Sequence, residues 1–347
     1  MTNETRVRYY PEEMLKHRVQ TLLVETGARA SDAAETARAL LHASRIGVDS
    51  HGVRLAAYYA SLLRSGGLNA APSPLYTRTA FATGRLDADS GLAHPACYRA
   101  MSEAMILARE AGIGAVGVHR STHFGAAGAY AVEAARQGMI GLVVSNSDSA
   151  VSLFSGVAPF HGTNPIAAAA PVRDSEPWLL DMATSSIPFN RVKLYEALGI
   201  DLPADVALDE HGQPTRNPRH ASFLQPLGGE TFGFKGAALA SLVTILAAVM
   251  TGADTDPVMV GTDAAQTAEA RQNVGHFVIA IDPERFIGRA SYDAAMTRYL
   301  NLLRAGPSID SGHPVLAPGD REWQESRRRQ ETGIPVDPET RTSLGLP

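Results

Sequence analysis

Two short stretches carry residue types that can move a proton. Residues 118–131 read VHRSTHFGAAGAYA, and residues 47–54 read GVDSHGVR. In the first, an apolar run leads into Ser121, Thr122 and His123, and a glycine-bearing turn follows. An imidazole ordinarily titrates near neutrality, so His123 can give or take a proton at cell pH. In the second, Ser50, His51 and Arg54 lie within five positions. A serine beside a histidine can orient the ring or a substrate. An arginine fork can hold a carboxylate through two bonds. The same three residues would also suit a plain helix end with a capping serine and a solvated arginine.

Other spacings imitate known motifs and fail them. His119 and His123 are four apart, as in a zinc-binding helix, but Arg120 stands where that motif needs Glu, and the pair sits at a strand end. A metal-dependent hydrolase built on His119, His123 and Asp148 is the competing reading from another class, and no metal is expected. Gly112–Gly117 matches G-x-G-x-x-G literally, yet a helix precedes it and a strand follows, the reverse of a dinucleotide-binding turn. Gly233-Phe234-Lys235-Gly236 comes close to a phosphate loop but lacks the Ser or Thr after the lysine. Lys235 still reads as the start of an apolar helix, where a phosphate or ribose could sit.

The elements that must hold these residues follow from apolar spacing. Helices are expected from Pro11 to Gly27, from Ser31 onward, over 55–63 and over 93–111. Strands are expected over 76–86, 115–118, 141–144, 166–170, 178–181 and 276–281. Several end in small polar residues: SNSD after 144, LDMATSS at 180–186, and GTNP before 166. A row of strands ending this way builds a binding face. The uncharged run 236–253 is expected to be a buried helix, although its 18 residues touch the lower limit of a membrane span. The charged stretch 322–332 reads as a surface helix with Arg327–Arg329 in solvent.

The chain has 347 residues, enough for about two domains. Its net charge of −5 gives no reason to expect nucleic acid or an anionic membrane as partner. Cys97 is the single cysteine, which excludes an internal disulfide and suits a reducing compartment; it reads as a small buried residue. The opening MTNETRVRYYPEEM has no apolar leader run, so a cytoplasmic location is expected.

Taken in order, GVDSHGVR, STHFGAAGAY, SNSD, GTNP, LDMATS, PLGG with GFKG, GHFVIAIDP and PGD resemble the type-2 malate/L-lactate dehydrogenase family, whose members share an SHGVxR pattern. The likeness runs from about Pro11 to Leu344. It implies an α+β fold without a Rossmann domain. A large, mostly antiparallel sheet would bind NAD or NADP over residues 76–289, with a possible inserted subdomain around 120–190. Residues 1–75 and 290–347 would form a helical domain. It implies reduction of a 2-oxo acid, or of a cyclic imino acid by NADPH, in a homodimer. By resemblance, His123 is the proton donor, Ser50 and His51 flank the reacting carbon, and in some relatives that histidine is the donor instead. Arg54 is the carboxylate clamp, and Thr163 and Asn164 line the substrate pocket. Gly128, Tyr130, Ser147, Asp181, Met182, Ala183, Thr184, Ser185, Lys235, Pro318, Gly319 and Asp320 match cofactor-contacting positions. The chain departs from the pattern at Phe234, at Leu316, Ala317 and Asp320, and at Asn190 and Arg191. Arg191 with Lys193 suits a 2′-phosphate.

Overall fold

The computed structural model describes residues 7–261, 267–310 and 312–347. Seven strands form the main sheet: β2 (Leu75–Ala80), β3 (Thr83–Asp87), β4 (Ile113–Ser121), β5 (Ile140–Ser145), β8 (Ile166–Ala170), β9 (Trp178–Met182) and β12 (Val274–Ile281). Their order is β2-β3-β4-β12-β5-β8-β9, and only β3 with β4 is parallel. The fold is therefore α+β with a large, mostly antiparallel sheet. The stretch expected as one strand at 76–86 is a hairpin, because the chain turns at Phe81 and Ala82.

Helices cover both faces of this sheet. On one lie α4 (Ala93–Ala111) and α5 (Gly128–Arg136), which bury alanines, Met101, Met105 and Tyr130 against Val116, Val143 and Val278. A side chain at Gly114 would meet the Ala104 carbonyl oxygen at 2.1 Å, so β4 and α4 approach backbone to backbone. Gly112 ends α4 with φ +86, and the other glycines of the G-x-G-x-x-G match run along β4 as strand residues. On the second face lies α7 (Gly229–Thr244), continued by a π-helical turn at Ile245–Val249. Val243 and Ala247 pack there on Val144 and Phe277, and a Cβ at Gly275 would meet the Ala247 carbonyl oxygen at 1.8 Å.

A second core joins the two chain ends. It unites Leu15, Val19 and Leu23 of α1 (Glu12–Glu25), Leu40 of α2 (Ala30–Arg45) and Tyr59 of α3 (Ala56–Ser65) with Ile334, Val336, Leu344 and Leu346. There β1 (Arg8–Tyr10) pairs with β13 (Ile334–Val336), beside α11 (Pro338–Ser343). A four-stranded sheet of β6 (Val151–Ser152), β7 (Pro159–His161), β10 (Ala207–Leu208) and β11 (Phe223–Leu224) packs with α6 (Phe189–Leu198). Helices α8 (Glu284–Ile287), α9 (Arg289–Arg304) and α10 (Asp320–Thr332) complete the described chain.

Three expectations are corrected. First, α7 begins at Gly229, so Lys235 is a turn and a half inside the helix rather than at its N-terminus. Second, the uncharged run buries only one face. Leu242, Ile245, Val249 and Met250 stay exposed, since the sheet covers one side of the helix alone. Third, Arg329 is buried, not solvated: its guanidinium holds both oxygens of Asp49 and the Ser44 carbonyl.

Candidate active site

One cleft runs along an edge of the main sheet. The connection from β4 to α5 supplies His123, Phe124, Gly125, Ala126 and Ala127. The end of β5 supplies Ser145, Asn146, Ser147 and Asp148, and the end of β9 supplies Asp181, Met182 and Ala183. Because β8 and β12 run the other way, their beginnings lie at the same edge and bring Thr163, Pro165, Gln272 and Val274. The helical part contributes Val48 and His51. The cleft opens to solvent and has about 810 Å³ of space counted out through its mouth.

Two imidazoles face each other inside it. The His51 and His123 rings stack with centroids 5.8 Å apart. Each has its Nδ1 tied to a hydroxyl: Ser50 Oγ lies 2.9 Å from His51, and Tyr59 Oη lies 2.7 Å from His123. Burial keeps the Tyr59 phenol protonated, and its oxygen faces His123 Nδ1; with the ring proton on Nδ1 and donated to that oxygen, Nε2 is a free base. That leaves Nε2 of His123 for the cleft. Burial pushes His123 down to about 3 and His51 down to about 4, so both rings are neutral at pH 7. Across the cleft, burial pushes the Asp181 carboxyl up to about 6, against the pull of the Gly128 N–H that donates to it at 2.8 Å.

Thus His51, His123, Ser147, Thr163, Asp181, Met182 and Ala183 meet in one cleft, with Ser50 behind His51. Arg54 does not join them. Its guanidinium faces Glu339 at 3.1 Å and Asp337 at 3.6 Å, and its side chain is about half exposed. Two acids at the start of α11 draw it to the other side of the turn. Asn164 also turns away. Its amide donates to the Ala240 carbonyl, Thr244 and Asp256, deep beside the cleft.

Gly128 spends its N–H on Asp181, and the fully buried Tyr130 donates its hydroxyl to the Phe124 carbonyl. Thr184 and Ser185 are buried and bonded to the Thr163 and Ile187 carbonyls. Lys235 is exposed, with its ammonium 5.0 Å over the Phe232 ring. In the 318–320 loop, Pro318 accepts a bond from Leu179, Gly319 takes φ +93, and Asp320 pairs with Arg304. None of these lines the cleft. His119 stays on β4 outside it, and among the described residues no three of His, Cys, Asp and Glu are grouped to hold a metal.

Sequence reasoning missed three contributors. Tyr59 reaches His123 across 64 positions, and nothing local marks it. Asn146 and Asp256 form a buried knot. Asp256 accepts from Asn146, His161, Asn164, Thr244 and the Gly162 N–H, and these bonds hold its carboxyl below the usual range despite burial. The knot fixes both the 146–148 and 162–164 rims. Only the small polar residues ending each strand hinted at it.

A family model described as malate/L-lactate dehydrogenase matches residues 10–345. A malate dehydrogenase of Pyrococcus abyssi is 33% identical over 332 residues, covering 94% of this chain and 90% of that protein. A (2R)-3-sulfolactate dehydrogenase (NADP(+)) of Chromohalobacter salexigens is 37% identical over 269 residues, 76% of this chain and 78% of that protein. The solved structure of a malate dehydrogenase from Pyrococcus horikoshii superposes with TM-score 0.88 at 29% identity, covering 100% of this chain and 97% of that one.

Proposed function

The chain belongs to the malate/L-lactate dehydrogenase family, and on that premise we propose that it exchanges a hydride between NAD(P)H and C2 of a small 2-oxo acid or its 2-hydroxy form. The observation that carries this reading is the pair of stacked, neutral imidazoles in one cleft, each held by a hydroxyl at Nδ1. The cleft fits a flat ring and a small substrate together: Gly125, Ala126, Ala127, Pro165, Ala183 and Val274 keep its walls small and apolar. Bound there, the reduced nicotinamide supplies the hydride.

The chain's own residues handle the proton. His123, oriented by Tyr59, gives a proton to the carbonyl oxygen in reduction and takes it back in oxidation, a role worth about 10²–10⁴-fold. His51, backed by Ser50, holds the substrate against it, with Thr163 on the opposite wall. Ser147, Asp181, Met182 and Ala183 contact the cofactor. Arg191 and Lys193, exposed on α6 close to Pro188 at the cleft's rim, suit the 2′-phosphate of NADP. Lys235 and the 318–320 loop stand outside the cleft and serve the cofactor only at its far end.

We propose further that residues 1–75 with 290–347 form the helical domain, which the core shared by the chain ends supports. The bare face of α7 supports a homodimer, and the single buried cysteine suits the cytoplasm.

The test is loss of nicotinamide absorbance with NADH or NADPH and a panel of 2-oxo compounds, with two variants. His123→Ala lowers kcat and kcat/KM together by about 10²-fold or more while nucleotide still binds. If His51→Ala does this and His123→Ala mainly raises KM, the two roles are exchanged.

A further inference from the structure

We infer that His94 is a positioning residue for the proton step: its ring holds the Tyr59 phenol in the place from which it orients His123. This rests on the dehydrogenase reading above and concerns a part of the site that lies behind the cleft.

Three elements meet at this point. Helix α4 carries His94 in its first turn, α3 carries Tyr59, and the connection from β4 to α5 carries His123. The His94 and Tyr59 rings stand at right angles with centroids 4.7 Å apart. In that geometry the electropositive edge of one ring rests on the electron-rich face of the other. The Tyr59 oxygen lies 2.7 Å from His123 Nδ1. His94 also borders the loop that carries His123. Gly125 takes φ +74 there, and a Cβ on it would stand 3.6 Å from His94 Nε2. Thr122 ties the same loop to the approach of α4, donating to the Gly91 carbonyl at 3.1 Å. His94 thus touches both the phenol and the loop whose mutual placement sets the His123 ring.

Neither hydrogen bonding nor stability accounts for this imidazole. It is fully buried, and neither of its nitrogens has a hydrogen-bond partner among the described residues. A buried polar atom without a partner destabilises a fold, so an apolar side chain of the same size would be at least as stable here. The titratable groups around it are Tyr59, Cys97, His123 and His276. Burial, with His123 and His276 beside it, holds His94 well below its ordinary pKa, so the ring is neutral. A neutral ring without a hydrogen bond acts through contact, and its contacts are with the parts that place His123.

The experiment uses the whole protein with NADH or NADPH and the 2-oxo acid it reduces fastest. His94→Leu is close in volume but not flat. It lowers kcat and kcat/KM together by about tenfold or more, while KM for the nucleotide stays within about threefold. Its Tm falls by no more than about 3 °C, because two unpaired nitrogens leave the interior. His94→Phe keeps a flat ring against the phenol and stays within about threefold of the wild-type kcat. In a Tyr59→Phe background, His94→Leu adds less than about threefold, since no phenol oxygen is left to place. A His94→Leu protein with wild-type kcat overturns the inference. So does a His94→Phe protein as slow as His94→Leu, or a pair of effects that multiply.

Nitrogen NMR of histidine-labelled protein reads the same point without turnover. The His123 signals, identified by their loss in His123→Ala, show the Nδ1–H form in the wild type and a second, Nε2–H population in His94→Leu. An unchanged His123 signal overturns the inference even where the rate has fallen, because the loss is then one of packing alone. A wild-type protein that turns over no 2-oxo acid overturns the dehydrogenase reading, and the NMR comparison then decides whether His94 sets the His123 ring.

Discussion

In the proposed mechanism, the proton of His123 decides the direction in which pH acts. Its ring is neutral well below pH 7, because burial pushes it down to about 3. A neutral imidazole is ready to accept the proton of a 2-hydroxy substrate, so kcat/KM for oxidation is flat in this group from about pH 5 upward. Reduction needs the protonated ring, whose fraction falls tenfold with each pH unit above the folded value. We therefore expect kcat/KM for reduction to rise about tenfold for each unit of acidification between pH 8 and 5. Steady-state rates in both directions check this. A plateau in reduction below about pH 6.5 would show a ring with an ordinary pKa and a site more open to water. His51 and His123 stood out as candidates by residue type alone, since few side chains titrate near neutrality, but that their rings stack in one cleft depends on the fold. The ion pairs of Arg54 with Asp337 and Glu339 were not legible, because both acids lie more than 280 positions away.

At the scale of elements, the chain's C-terminal part holds the turn that carries His51. Arg329 of α10 reaches across 280 positions to grip Asp49, two residues before His51, and also the Ser44 carbonyl of α2. Glu325 lies on the guanidinium's other side. Removing this arginine strands a buried carbonyl and frees the turn. We expect Arg329→Ala to cost about 2 kcal/mol, read by urea unfolding, and to lower kcat because the two imidazoles lose their stacking. An equally stable, fully active variant would show that the turn holds itself. The sequence offered no hint of this, because a run of charges on a helix looks solvated until a distant acid is folded against it. Elements with a strong period were another matter. Helix α4 is bounded as expected at 93 and 111, since alanines and methionines recur at helical spacing up to a glycine with positive φ. The strands of the cleft edge were legible as short apolar runs, but their order, with β12 between β4 and β5, depends on pairing across more than a hundred residues.

Among the described residues, one face of the long apolar helix α7 and its continuation lies uncovered. Gly229–Val249 is long and apolar enough to cross a membrane by length and composition alone. Its inner face is committed, however. Ala247 sits so close to Gly275 that no side chain fits between them, and Val243 packs on Val144. Crossing a membrane would tear this helix from the sheet that builds the active-site edge. The outer face carries Leu242, Ile245, Val249 and Met250, with Phe232 and Phe234 two to three turns earlier, all exposed. Exposed apolar residues grouped on a folded chain mark an interface, and in the proposed homodimer a second copy of the same helix covers them isologously. We expect Val249→Asp to halve the mass seen by sedimentation while circular dichroism stays unchanged, because the substitution places a charge in the joint without touching the inner face. Wild-type protein that sediments as a monomer, or a variant that remains dimeric, would move the interface elsewhere. Activity of the variant separates assembly from catalysis. The cleft residues named here come from one chain, so a folded monomer that keeps its rate would show that the partner only covers the helix. A monomer that loses its rate would show that the second copy completes the active site.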